Sequence, residues 1–197
     1  MRVIAGRFRG RRLAAPAGDQ TRPITDRVKE SLFSVLGHRF GTLAELPAFE
    51  VLDLFAGSGA LGIESLSRGA AGCTFVERDK RSLVALRANV ALLRDAAARI
   101  VVANAWTLRF VEDAGPACGL IFADPPYRDG ADPLRIADLL DSVATRLAAD
   151  GLLVYRHSTR YEPPRNELRR LEVVDERRFG TMGVVILGKR DAGAPVG

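Results

Sequence analysis

Asp53-Leu54-Phe55-Ala56-Gly57-Ser58-Gly59-Ala60-Leu61-Gly62 decides the fold of this 197-residue chain. The apolar run Val51–Phe55 predicts a buried strand and Ala60–Ser67 a helix, which puts the glycines on a strand-to-helix turn. Gly57-x-Gly59-x-x-Gly62 is the spacing that lets backbone approach a nucleotide closely. Glu77, twenty residues after Gly57, ends the next strand-like run, Gly72–Val76, where an acid can bind a ribose diol. These glycines alone fit a dinucleotide-dependent dehydrogenase. Asp53 argues against it, because a carboxylate at the strand end opposes a pyrophosphate by repulsion and desolvation. An acid there suits a cofactor with a cationic amino-acid end, such as S-adenosylmethionine.

Outward from this loop the pattern alternates. Lys80–Leu93 predicts a helix, Ile100–Ala103 a strand, Trp106–Glu112 a short helix, Leu120–Ala123 a strand, Pro133–Leu147 a helix and Leu152–Tyr155 a strand. Leu171–Phe179 and Thr181–Gly188 then read as a hairpin turning at Phe179-Gly180-Thr181. Repeated βα units closed by an antiparallel hairpin imply an α/β fold, a doubly wound, mostly parallel sheet. Ahead of it, Val3–Gly6 and Arg11–Ala14 read as short strands around a turn. A helix from Thr25 to about Leu36 follows, with Thr25 as N-cap and Gly37 as its stop.

The second informative stretch is Asp124-Pro125-Pro126-Tyr127, after the apolar run Gly119–Ala123. The prolines lack N–H groups and have fixed φ, so the Pro125 carbonyl is available as an outward acceptor. Asp124 is a second acceptor, and Tyr127 offers a face for a planar ring. Two acceptors beside a stacking surface suit an exocyclic amino group. Asp-Pro and Pro-Pro are also common turn dipeptides. The upstream glycine loop and its two acids favour the chemical reading, with Asp124, Pro125 and Tyr127 as catalytic candidates.

Composition bounds the rest. Hydrophobic content of 47% and charged content of 27% are those of a globular domain. No apolar run approaches the ~20 residues of a membrane span, and the N-terminus lacks a signal-peptide core. The expectation is a cytoplasmic protein with Cys73 and Cys118 as buried free thiols and no metal site. The net charge of +5 is concentrated: residues 1–30 hold eight basic and three acidic side chains, and the other 21 of each sign cancel. Arg2, Arg7, Arg9, Arg11, Arg12 and Arg22 are the candidates for binding an RNA phosphate backbone. His38 and His157 are expected as ordinary surface or interface residues and not as ligands. Asp79, Asn89 and Trp106 are expected to serve surface or packing roles.

The joint pattern of Asp53–Gly59 and Asp124–Tyr127 resembles the class I S-adenosylmethionine-dependent methyltransferases that act on amino groups. Arg2–Gly6, Arg9–Leu13, Arg22–Glu30 and Phe55–Gly69 further resemble the RsmD family, with strong motifs as far as Tyr127 and weaker pattern to Lys189. That resemblance implies a Rossmann-like, seven-stranded sheet and a small N-terminal hairpin and helix extension. Three segments follow: an RNA-docking extension over 1–40, a methyltransferase domain over 41–190 and a disordered tail over 191–197. It implies methyl transfer from S-adenosylmethionine to the N2 amine of a guanine in small-subunit 16S ribosomal RNA, presented in the assembled subunit to a monomeric enzyme. Methylation of another amino group, on DNA adenine or protein glutamine, is the alternative. By position, Asp53, Phe55, Gly57, Ser58 and Gly59 would hold the methionyl part, Glu77 the ribose, and Asn104 and Ala105 the adenine edge. Thr25 would sit at a helix start covering the pocket. Arg156 departs from the family, which carries an acid there, and the resemblance gives that stretch no role.

Overall fold

Continuous apolar runs build the inner strands, as expected where both faces of a sheet are covered. Every residue of Cys118–Ala123 is buried, as are Val51, Leu52 and Leu54. The computed structural model describes residues 1–16, 24–43, 45–94, 96–106, 116–126, 129 and 131–190. Its elements are α1 (Asp26–Arg39), β1 (Glu50–Leu54), α2 (Ala60–Ser67), β2 (Gly72–Glu77), α3 (Lys80–Ala91), β3 (Ala98–Val102), β4 (Cys118–Ala123), α4 (Pro133–Val143), a 3-10 turn (Ala144–Arg146), β5 (Leu147–Ser158), β6 (Leu171–Phe179) and β7 (Met182–Lys189). The seven strands are ordered β3-β2-β1-β4-β5-β7-β6. β2 is parallel to β1 and β3, and β4 to β5, while β7 is antiparallel to β5 and β6. This is the doubly wound sheet with a closing hairpin. The expected helix at Trp106–Glu112 falls mostly, and the tail over 191–197 entirely, outside the described residues.

The chain divides into two compact units, Met1–Asn104 and Ala105–Gly197. In the first, the N-terminal segment is a loop docked on helices, with a single antiparallel bridge, Arg2 to Arg12, where two short strands are expected. Val3 donates to the Arg11 carbonyl and Leu13 to that of Met1, both at 3.0 Å, but several donors between them leave the hairpin. Ile4 and Ala5 donate to the Glu64 carboxylate at 2.8 and 3.0 Å, Arg7 to the Ser67 carbonyl at 2.7 Å, and Phe8 to Ser67 Oγ at 2.9 Å. Groups satisfied by α2 cannot extend a ladder. Gly6, at φ +77°, sits where a Cβ would come within 1.8 Å of the Ser67 carbonyl oxygen. Val3, Phe8 and Leu13 are buried beneath this loop.

Thr25 caps α1 as expected, accepting from Val28 N–H at 3.3 Å. The helix does not stop at Gly37, however. Leu36 and Gly37 are buried in packing, and His38 and Arg39 complete a last turn whose positive charge suits the helix dipole. In the second unit, α4 begins at Pro133 with Asp132 accepting from Arg135 N–H at 3.0 Å. It ends four residues early, tightening into the 3-10 turn before Leu147 enters β5. β5 is longer than expected because Asp150 and Gly151 lie within it, and a shift in its pairing with β4 absorbs the irregularity. β6 carries its charges in pairs, Arg177 with Asp175 at 2.8 Å and Arg165 with Glu176 at 2.7 Å.

Candidate active site

The glycine loop follows β1 and opens α2. Asp53 is 2% exposed, and its Oδ2 accepts from Gly62 N–H at 3.0 Å, in the first turn of α2. An anion at that helix start is stabilised by the dipole and by one of the orphan N–H groups. Gly59 precedes the helix at φ +79°, and a Cβ there would lie 2.6 Å from Leu86 Cδ1 and 3.2 Å from Phe75 Cε1. A side chain would therefore push the loop off α3 and β2. Phe55 adopts a left-handed backbone, φ 59°, unusual for a bulky residue and typical of constrained functional turns.

Glu77 reaches back to the same loop. Its Oε2 accepts from Gly57 N–H at 2.8 Å, and its Oε1 from Arg78 and Asp79 N–H at 2.7 and 2.8 Å. A carboxylate has about four lone-pair sites, so Glu77, with three taken, retains one for a ribose hydroxyl. Asn89 is 1% exposed and holds the loop from the other side. Its amide donates to the carbonyls of Ser58 at 2.9 Å and Ala14 at 3.0 Å, and its Oδ1 accepts from Ala14 N–H at 2.7 Å. Asn89 thus does more than pack: it ties the glycine loop to the N-terminal segment. Asp79 caps α3 through Ser82 N–H at 2.9 Å, which holds its carboxyl below the usual range. The loop therefore carries two anchored acids and no cation, a set that fits a cationic nucleoside cofactor and opposes a pyrophosphate. Asn104 is half-buried and Ala105 buried. Thr25 is exposed with its hydroxyl engaged as a cap, and Asp26 beside it pairs with Arg2 at 2.9 Å.

In the second unit, Asp124 follows β4, with Pro125 buried and Pro126 exposed. The Pro126 carbonyl accepts from Asp129 N–H at 2.8 Å. Asp124 Oδ2 accepts from Arg156 Nη1 of β5. Burial pushes the Asp124 carboxyl above its ordinary range, and the Arg156 guanidinium opposes that rise. Burial also raises the Tyr155 phenol, with the Asp124 charge adding to it. Tyr127 lies outside the described residues. His157, expected as a surface or interface residue, is instead packed inside its unit: it is 6% exposed and stacked on Tyr155, centroids 5.4 Å apart at 15°. Its Nδ1 is shared by the Ser158 and Tyr161 carbonyls at 3.1 and 3.2 Å. His38 is exposed, as expected. Trp106 receives the Arg135 guanidinium at 4.1 Å from its ring centroid. Arg156 is the site residue that sequence reasoning passed over, and its signal was a guanidinium directly after an apolar strand run.

Arg2, Arg7, Arg9, Arg11 and Arg12 are all exposed, and Arg22 lies outside the described residues. The guanidiniums of Arg7 and Arg11 lie 5.0 and 5.1 Å from the ring centroid of buried Phe8. Arg11 also donates to the Leu92 carbonyl.

A sheet of this order carrying a glycine loop after its first strand defines the class I methyltransferase fold. The solved structure of the putative methyltransferase yhhF from Escherichia coli superposes with a TM-score of 0.74 at 34% identity, covering 96% of this chain and 98% of that one. The family model Conserved hypothetical protein 95 matches residues 1–188, and the chain belongs to this family, the RsmD family. The putative rRNA methyltransferase YlbH of Bacillus subtilis is 38% identical over 192 residues, 96% of this chain and all of the relative. Ribosomal RNA small subunit methyltransferase D of Escherichia coli is 42% identical over 158 residues, 80% of this chain and 74% of the relative.

Proposed function

We propose that this protein transfers a methyl group from S-adenosylmethionine to the exocyclic N2 amine of one guanine in small-subunit 16S ribosomal RNA. The observation that carries the reading is the Asp124-Pro125-Pro126 turn at the end of β4 in a chain similar along its length to enzymes named as ribosomal RNA methyltransferases. When bound, S-adenosylmethionine supplies a methyl group on a positively charged sulfur. Asp53, Phe55, Gly57, Ser58 and Gly59 hold its methionyl part, Glu77 its ribose, and Asn104 and Ala105 its adenine, with Thr25 near the pocket's cover.

An arylamine lone pair is delocalised and a poor nucleophile. Hydrogen bonds from its two N–H groups to the Asp124 carboxylate and the Pro125 carbonyl localise that pair and stabilise the positive charge that develops on nitrogen. Tyr127 stacks on the unpaired base and holds it in line. The nitrogen gains the carbon, the electron pair of the broken carbon–sulfur bond stays on sulfur, and the surplus amine proton leaves to solvent. Asp124 needs little basicity, because that proton is acidic only after transfer. The extension over 1–40, with Arg2, Arg7, Arg9, Arg11, Arg12 and Arg22, docks the RNA through phosphates, and 41–190 carries the chemistry. The test is to map modified guanines by mass spectrometry in 16S ribosomal RNA from cells lacking the protein, then from cells complemented with wild type or Asp124→Asn. Loss of one N2-methylguanine that only wild type restores supports the reading. An unchanged map, or full restoration by Asp124→Asn, overturns it.

A further inference from the structure

We propose that Arg156 is a positioning residue for Asp124, engaging one carboxylate oxygen from the buried side so that the other meets the amine in a single orientation and ionised. The inference rests on the reading of Asp124 as the amine acceptor. Ala123 and Tyr155 are register partners in the parallel β4–β5 pair, so the residues that follow them, Asp124 and Arg156, emerge side by side. The Arg156 side chain is 5% exposed and that of Asp124 26%, so the cation is enclosed and the anion faces outward. Oδ2 is taken by Nη1 of the arginine.

A buried guanidinium is costly, and an apolar side chain of similar volume is often as stable in its place. Arg156 Nε has no partner among the described residues, which adds to that cost. Among them, its counter-charge is Asp124. Opposite Arg156, β7 presents Val184, which is apolar. The ionisable groups of α4 are engaged elsewhere, Arg135 on Trp106 and Asp138 and Asp141 with Arg169. Tyr155 and Arg156 are therefore the titratable neighbours of Asp124 that bear on it, and Tyr155 is a neutral phenol. Burial drives the carboxyl toward its protonated form, in which it donates as well as accepts, and the arginine works against this. The exchange is orientation for strength: a paired carboxylate stabilises a developing ammonium less than a naked one, and it occupies one rotamer.

The test is the pH dependence of kcat for wild type, Arg156→Gln, Arg156→Met and Arg156→Lys. The substrate is small subunits reconstituted with unmodified 16S ribosomal RNA, and Asp124→Asn is the control. Removing the guanidinium should move the acid limb of kcat up by about one to three pH units. Arg156→Lys should restore the limb but leave kcat about tenfold low, because a lysine lacks the planar fork. Superimposable acid limbs in wild type and the neutral variants, with Asp124→Asn inactive, would overturn the inference and leave the role of Asp124 standing. Wild-type turnover by Asp124→Asn would overturn that role itself. If the neutral variants do not fold, Arg156→Lys decides alone: lowered kcat with unchanged KM for both substrates supports positioning, and wild-type kcat overturns it.

Discussion

Lys29 Nζ lies 3.2 Å from Glu64 Oε2, and neither side chain reaches solvent. Glu64 also binds Arg68 Nε at 2.9 Å and accepts from the backbone of Ile4 and Ala5. One carboxylate therefore balances two buried cations and seats the N-terminal loop. Glu64→Leu would strand both cations and two N–H groups, and the expected loss is about 3–5 kcal/mol, the usual consequence of breaking a buried ion cluster. Urea denaturation measures it. A loss below about 1 kcal/mol would show that water or a new partner replaces the carboxylate.

Asp124 predicts a pH-dependent stability of definite sign. Its folded pKa is raised above 3.8, so between 3.8 and the folded value the native state binds more protons than the unfolded chain. The associated stability is fully present below 3.8 and is lost as pH rises through the folded pKa. Relative to Asp124→Asn, wild type should lose stability as pH climbs from about 3.5 and then level off. Arg156 stays charged throughout, so its exposure to a neutral partner adds only a constant offset. Parallel urea midpoints across that range would refute the assignment.

Arg9 and Arg12 are exposed on the docked loop, and the first predicted role of that loop is contact with phosphates. Replacing both with glutamine should lower the salt slope of RNA binding by about 1.4–1.8, the loss of two counterion-releasing contacts. Cofactor affinity should be unchanged. Deleting residues 1–14 is a poorer test, because it also removes buried Val3, Phe8 and Leu13. Gly6→Ala separates seating from charge: its Cβ collides with the Ser67 carbonyl, so RNA affinity should fall with every arginine still present.

Asn89→Ala leaves the Ser58 carbonyl and both backbone groups of Ala14 without their bonds. Each such group costs about 1–3 kcal/mol when it stays buried. Affinity for S-adenosylhomocysteine, measured by calorimetry, should weaken by about tenfold even without RNA. Asp124→Asn, remote in role, should bind it as wild type does. Equal affinities in Asn89→Ala and wild type would show that the loop holds its shape unaided.

The sheet and its loop were readable where signals are local. α2 and β6 have the bounds their patterns predict, α2 because a glycine turn opens it and β6 because the Phe179-Gly180-Thr181 turn closes it. Errors fall where a distant partner decides. The N-terminal strands reduce to one bridge because Glu64 takes the N–H groups of Ile4 and Ala5, and Ser67 those of Arg7 and Phe8. β5 runs through Asp150-Gly151 because β4 pairs on either side, at Leu147 and Leu152, and a register shift between them absorbs the turn. Arg156 and His157 look like surface residues by type, and only the register of β5 against β4 and β7 encloses them. Glu77 and Asp53 were legible as acids at strand ends, yet their backbone partners, Gly57 and Gly62, could not be read from composition.

In the proposed role of docking RNA, the seating of the N-terminal loop also decides how it meets that partner. Its guanidiniums are mounted on a platform anchored to α2 and α3, through Glu64, Ser67 and Asn89. Such a platform behaves as a die and not as a glove. It loses little conformational entropy on contact, so the phosphates must already hold a complementary spacing, and the ordering cost of recognition falls on the nucleic acid. A flexible strand is then disfavoured relative to one whose shape has been fixed beforehand by its own folding or by the proteins around it.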